Sequence, residues 1–214
     1  MLSSFIPDLP VLAAFIGASV VLGLTPGPDM TFFLSKTIAQ TRPAGFAAFG
    51  GAATGLLVHS LLVAAGLSVL LAASATAFTI LKIAGAAFLA WLAIDAIRHG
   101  SSLSLAPGGQ REALSAIFVK GLLINLLNPK IIIFFVTFLP QFVSAGDPHV
   151  SRKLFFLGLT FIVVNVPVCA GLVLAADRIA LVLKRSPRAT RIVDWLFAGV
   201  LGAFAARLIF TQAK

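Results

Sequence analysis

The sequence has few charged residues. Of its 214 residues, 11% are Asp, Glu, Lys or Arg, whereas 59% are hydrophobic. Soluble domains carry about 25% charged residues, so this composition excludes an ordinary soluble domain. Apolar runs of about 20 residues recur along the chain, and this length crosses a hydrocarbon core of about 30 Å. We therefore expect an all-α integral membrane protein in which residues 1–214 form a single transmembrane domain.

Cysteine and clustered acidic residues are also scarce. Cys169 is the only cysteine, which excludes an internal disulfide bond, and its apolar neighbours indicate a small packing residue. The chain lacks the groups of His, Cys and acidic residues that a metal route requires. It also lacks paired carboxylates or a Ser–His arrangement suited to catalysis. We therefore expect no metal, no cofactor and no enzymatic activity.

The net charge of +9 is concentrated in the connections between apolar runs. Basic residues that flank membrane spans and form no separate domain argue against a nucleic-acid partner. They predict instead that the first, third and fifth connections face the cytoplasm and that both termini lie outside. The basic cluster Lys184–Arg191 is interpreted as a topology signal that contacts lipid headgroups.

Six membrane spans are predicted from the apolar runs. They cover the ranges Leu9–Thr41, Phe46–Ala72, Phe78–Ile97, Ala113–Phe142, Leu154–Ala176 and Trp195–Thr211.

Two of these spans are interrupted in the same way. The first contains "TPGPD" and the fourth contains "NPK", and Pro28 and Pro129 lie close to half a chain length apart. Each break therefore opens a block of three spans. Because three is odd, the second block enters the membrane from the opposite side. This pattern predicts two inverted repeats, approximately residues 8–98 and 111–212, with a binding site at the breaks.

The residues at the breaks indicate what such a site would bind. A helix stops before proline, and proline is favoured at the first position of a new helix. Thr25 and Asn128 each precede a proline and are predicted N-caps. A helix start leaves backbone N–H groups that can bind a carboxylate. Asp29 could hold an ammonium group, and Lys130 requires an anion, which Asp29 could supply when substrate is absent. The pair therefore suits a zwitterion.

The motifs "GLTPGPDM", "GFAAFGGAATG" and "NLLNPKIIIFFVTFLPQF" resemble the LysE-type amino-acid exporter family. The branch that the chain resembles most is that of the threonine and homoserine exporters (RhtB-like), over nearly its whole length. The resemblance implies six helices in two inverted halves. It also implies export of small amino acids or related metabolites across the bacterial cytoplasmic membrane, coupled to proton antiport. On this resemblance the substrate-binding residues are Thr25, Pro26, Gly27, Pro28, Asp29, Asn128, Pro129 and Lys130.

Other interpretations of these features stay open. The first break could be only the cytoplasmic end of the first helix. The second could be a proline kink beside a Lys130 side chain that snorkels to the interface. The wider superfamily includes metal-ion exporters, and a membrane subunit without transport activity is a further alternative.

Several polar or small residues inside the spans have two interpretations each. Gly51 and Gly55 form a G-x-x-x-G pattern, which favours close packing against a partner helix or a second subunit, or else cavity lining. His59, like Asp29, is a candidate for proton coupling, but a neutral His bonded to a neighbouring helix fits equally well. Asn165 and Pro167 interrupt the fifth span and either line the cavity or bend the helix.

Overall fold

The computed structural model describes residues 6–67, 111–144 and 147–176, with single positions between 76 and 98 and between 178 and 203. Every regular element in these ranges is helical, and helical positions occur in each of the six predicted spans. The third and sixth spans lie largely outside the described residues. The helices are α1 (Leu9–Leu24), α2 (Pro28–Ala39), α3 (Arg42–Leu62), α4 (Leu114–Leu126), α5 (Pro129–Ile133) and α6 (Val150–Leu174).

Two kinds of element have the dimensions of a membrane span. The helical stretches Arg42–Gly66 and Val150–Leu174 are each long and apolar enough to cross a membrane. Two bent pairs, α1 with α2 and α4 with the stretch Pro129–Phe142, also pass this criterion if each pair counts as one span. The stretch from α5 to Phe142 includes a π-helical turn and a 3₁₀ turn. These irregular turns adjoin Pro140, which has no N–H to donate and crowds the preceding turn.

The first predicted break is confirmed. The axes of α1 and α2 differ by 54°, and Pro28 occupies the first turn of α2. Thr25 does not cap α2, contrary to the prediction, because it is the C-cap residue of α1 and α2 begins only at Pro28. Its hydroxyl donates back to the Val21 carbonyl at 2.8 Å, and Gly27 is the N-cap residue. Two prolines so close together leave no helical turn between them.

The second predicted break is also confirmed. The axes of α4 and the stretch that begins at Pro129 differ by 50°. Asn128 caps α5 as predicted, because its Oδ1 atom accepts a hydrogen bond from the Lys130 N–H at 3.0 Å. The fifth span differs from its prediction. Helix α6 runs unbroken through Pro167, so this proline does not interrupt the span.

Helices α3 and α4 pack with their backbones in close contact. A Cβ atom on Gly51 would overlap the Phe118 carbonyl oxygen and the Leu122 nitrogen of α4. A Cβ atom on Gly121 would overlap the Ala48 carbonyl oxygen of α3. Lipid is as apolar as the helix surfaces, so close van der Waals packing is the main attraction available to such a pair. The glycine pattern therefore serves the packing of these two spans.

Ion pairs connect the end of α2 to the start of α4. Glu112 accepts hydrogen bonds from Lys36 and Lys120, each at 2.5 Å. The hydrogen bonds from Lys120 and Lys36 lower the pKa of Glu112 to about 2, so its carboxylate is ionised at neutral pH. Lys36 lies within α2, and only Gln40 and Thr41 separate α2 from α3.

Candidate functional site

The two helix breaks meet in space. The Lys130 ammonium group of α5 donates to two carbonyl oxygens at the end of α1, those of Leu22 at 3.1 Å and Thr25 at 2.7 Å. The Asn128 side chain donates to the Asp29 carboxylate at 2.9 Å. These partners lie 99 to 108 positions apart in the sequence. The two Pro-centred motifs therefore build one site.

The Asp29 carboxylate has one occupied oxygen and one free oxygen. Its Oδ2 atom accepts hydrogen bonds from Nδ2 of Asn125 at 3.0 Å and from Nδ2 of Asn128 at 2.9 Å. Its Oδ1 atom is buried and has no partner. Asp29 also lies in the first turn of α2, where the positive end of the helix dipole favours a negative charge. The carboxylate is thus held in place while it keeps an acceptor for a further donor.

Lys130 and Asp29 do not form a direct ion pair. None of the ion pairs among the described residues joins Lys130 to Asp29 within 4 Å. The terminal carbonyls of α1 hold the ammonium group instead, because the last carbonyls of a helix lack intrahelical donors and carry the negative end of its dipole. The amine is directed towards α1, which does not agree with snorkelling. Two of its three N–H donors are occupied and one remains.

Only one of the two helix starts remains open to a ligand. At α5 the first free N–H, that of Lys130, is already occupied by Asn128. At α2 no side chain caps the helix, and its N-cap Gly27 lines the cavity between the breaks. The expectation that the helix starts at both breaks offer free N–H groups to a carboxylate is therefore corrected to one uncapped helix start, that of α2. Pro26, Pro28 and Pro129 do not line the cavity, so they act by shaping the breaks.

A cavity of about 60 Å³ lies between the breaks, and this volume holds several water molecules. The predicted residues that line it are Thr25, Gly27, Asp29, Asn128, Lys130 and Asn165. Its other lining residues are mostly apolar and come from all six helices α1 to α6.

Asn165 reaches the cavity from α6. Its Nδ2 atom donates to the Phe161 carbonyl at 2.9 Å and to the Ser19 carbonyl at 3.3 Å. Two backbone acceptors on one side fix the amide orientation, so that Oδ1 points the other way. This oxygen is buried without a partner and lies where a Cβ atom on Gly23 would be.

Gly51 and Gly55 do not line the cavity, which corrects that expectation. Gly51 lies against the backbone of α4, and Gly55 lies against the Asn125 side chain. A Cβ atom on Gly55 would overlap Asn125, so this glycine leaves the space in which Asn125 can reach Asp29.

His59 lies behind the cavity wall. It is buried, and its Nε2 atom lies 3.4 Å from the Asn125 carbonyl oxygen. Its ring packs at a tilt against Phe135, with 5.7 Å between ring centroids. His59 is therefore connected to Asp29 through Asn125, the residue that donates to the carboxylate.

Asn125 was missed in the sequence, although a signal was present. It is an amide inside an apolar run, three positions before Asn128, and polar side chains within spans need partners and are often functional. Cys169 was interpreted as a packing residue alone, but it lines the cavity as well.

Apolar helices that break at prolines around a cavity with charged groups define a membrane transporter. The family model described as "LysE type translocator" matches residues 20–212, and the chain belongs to this family of membrane proteins. The predicted family and the all-α membrane fold are thereby confirmed.

Curated relatives match nearly the whole chain. A homoserine/homoserine lactone efflux protein of Salmonella typhimurium is 33% identical over 195 residues, covering 91% of this chain and 94% of the relative. A leucine efflux protein of Klebsiella pneumoniae is 30% identical over 211 residues, covering 96% and 97%. No solved structure matches the chain.

Proposed function

We propose that the protein is a secondary transporter that exports small amino acids or related metabolites across the bacterial cytoplasmic membrane by proton antiport. Membership of a translocator family supports the transport function. The names of the relatives, which are efflux proteins for homoserine, its lactone and leucine, support the substrate class and the direction.

The observation that carries this proposal is a pair of oppositely charged residues, Asp29 and Lys130, that line one cavity without forming a direct ion pair. Charged groups inside spans are costly and mark substrate pathways. The free Oδ1 atom of Asp29 suits the ammonium group of an amino acid. The remaining N–H of Lys130 and the uncapped start of α2 suit its carboxylate. No group of three potential metal ligands occurs among the described residues, so nothing there favours a metal ion as cargo.

Proton antiport is the expected result if a substrate and a proton compete for the Asp29 carboxylate. Asp29 can hold either the ammonium group of a substrate or a proton, because either one neutralises the same charge. Substrate release on one side and proton binding there would then be linked. His59 is a second candidate in this step, since its partner Asn125 donates to Asp29.

Loading the site requires a movement. The Asp29 Oδ1 atom is out of contact with solvent in this conformation. A substrate ammonium group can reach it only if the cavity opens. The two breaks are the natural hinges, because residues that end helices absorb changes in backbone angles.

Counterflow into proteoliposomes tests the proposal. Liposomes loaded with an unlabelled amino acid should accumulate the labelled amino acid, and protein-free liposomes should not. A methyl ester, which keeps the ammonium group, should compete about tenfold less well. An N-acetyl derivative should compete at least about a hundredfold less well, because Asp29 would then face no cation, and breaking a buried charge pair costs about 3–5 kcal/mol. Equal competition by the N-acetyl derivative would exclude Asp29 as the ammonium site. If no amino acid is exchanged, the proposed function is wrong.

We also propose the inverted arrangement of residues 8–98 and 111–212, with both termini outside. Two crossed contacts support it: Gly23 before the first break receives Asn165 of the fifth span, and Asn125 before the second break meets Gly55 of the second span. Exposed Ala39 is the last residue of α2, near the end of the first span, and exposed Ser144 follows the fourth span. In a Cys169→Ser background, an impermeant thiol reagent applied to intact cells should label Ser144→Cys but not Ala39→Cys. Labelling of both from outside would contradict the arrangement.

A further inference from the structure

The polar residues of the cavity form one continuous side. Asn125 and Asn128 both contact the Asp29 carboxylate, and Lys130 contacts the Thr25 carbonyl. Asn165 lies beside Gly23, in the turn of α1 that precedes Thr25. The groups that could bind the charged end of an amino acid are therefore gathered together.

The opposite walls are apolar. Helix α2 contributes Met30 and Phe33, and helix α3 contributes Phe49, Ala52 and Leu56. Spacings of three and four residues place the last three on one face of α3.

Helix α6 completes these walls. It contributes Phe161 and Cys169, which flank Asn165 by one turn on either side. Asn165 is thus the one amide on this face of α6 within the cavity.

The walls provide almost no partner for a polar side chain. Thr25 carries the only hydroxyl among the residues that line the cavity, and this hydroxyl already donates to the Val21 carbonyl. The hydroxyls of Ser19 and Ser60 lie outside the lining and donate to carbonyls of their own helices. Two unpartnered amide oxygens, the Oδ1 atoms of Asn125 and Asn165, also belong to residues of the lining, but they lie on its polar side, against Gly55 and Gly23. A hydroxyl on a substrate side chain that packs against the opposite walls would be buried against carbon and sulfur.

We propose that the cavity selects amino acids with aliphatic side chains over their hydroxylated isosteres. This inference rests on the proposed function and specifies its substrate class. One relative is named for homoserine and another for leucine. The apolar walls of this chain favour a substrate with an aliphatic side chain, such as leucine.

Isosteric pairs provide the test. Norvaline and homoserine differ by a methyl group in place of a hydroxyl, and valine and threonine differ in the same way. In competition for counterflow, norvaline and valine should each be preferred over the hydroxylated partner by about tenfold to a hundredfold, the range an apolar pocket achieves. Equal or reversed preference would overturn this inference while the exchange itself upholds the proposed function. Absence of exchange with all four compounds would overturn both.

Two substitutions make the test specific to these walls. Ala52→Ser and Cys169→Ser each add a hydroxyl, which can donate to its own helix and still accept from a substrate hydroxyl. Each should reduce the preference for norvaline over homoserine severalfold. The matched control Ala53→Ser alters the neighbouring residue of α3 outside the cavity lining and should leave the preference unchanged. Retained norvaline exchange shows that a variant is folded. An unchanged preference in both cavity variants, with norvaline exchange retained, would contradict the proposal.

Discussion

Asp29→Asn is expected to abolish counterflow, with a loss of more than about a hundredfold. The asparagine oxygen can still accept the hydrogen bonds from Asn125 and Asn128, so the geometry of the breaks should survive. Its amide nitrogen would then lie where the free Oδ1 atom of Asp29 lies, and would present a donor to the substrate ammonium group. The negative charge is lost as well, and removing one partner of a buried charge pair costs about 3–5 kcal/mol. Initial counterflow rates at several pH values measure the effect.

The exposed Asp8 provides a matched control for this variant. It precedes α1 and makes no capping hydrogen bond with its side chain. Asp8→Asn removes the same charge just before the same span and should leave counterflow unchanged. If Asp29→Asn exchanges substrate normally at every pH, Asp29 does not bind the ammonium group, and the proposed competition between substrate and proton for its carboxylate is wrong as well.

Gly51→Ala is expected to destabilise the protein strongly. The added Cβ atom would overlap backbone atoms of Phe118 and Leu122, and a helix backbone cannot turn aside as a side chain can. Overpacking of this kind costs about 1–3 kcal/mol and occasionally more, so α3 and α4 should separate or the folded yield should fall. The midpoint of thermal unfolding in detergent and the yield of monodisperse protein measure the effect.

Gly17→Ala is a control that should change the stability in the opposite direction. Gly17 lies inside α1, and a Cβ atom there would meet nothing within 4 Å. Replacing a helical glycine by alanine should stabilise the helix by roughly 0.5–1 kcal/mol. A Gly51→Ala variant as stable as the Gly17→Ala variant would show that α3 and α4 do not pack through these glycines.

The sequence alone determined the class of protein, the two breaks and one cap. Composition excludes a soluble domain, because a chain with so few charges cannot cover its surface with polar groups. Pro28 and Pro129 begin new helices because proline acts on its own backbone and on the preceding turn. Asn128 caps α5 because its partner, the Lys130 N–H, is two residues away. These are local effects, and local effects can be read from neighbouring residues.

The tertiary structure decided which distant groups meet. Lys130 binds the carbonyl ends of α1 in place of Asp29, and the sequence cannot show which backbone atoms lie next to a side chain more than a hundred positions away. Thr25 was misassigned because the choice between closing α1 and capping α2 depends on the geometry of two prolines separated by a single residue. Asn125 joins the site only because α4 lies beside Asp29. Gly51 lies in the contact between α3 and α4, away from the cavity that it was a candidate to line. Contacts of this kind depend on how the helices pack, and spacing along the chain does not encode that packing directly.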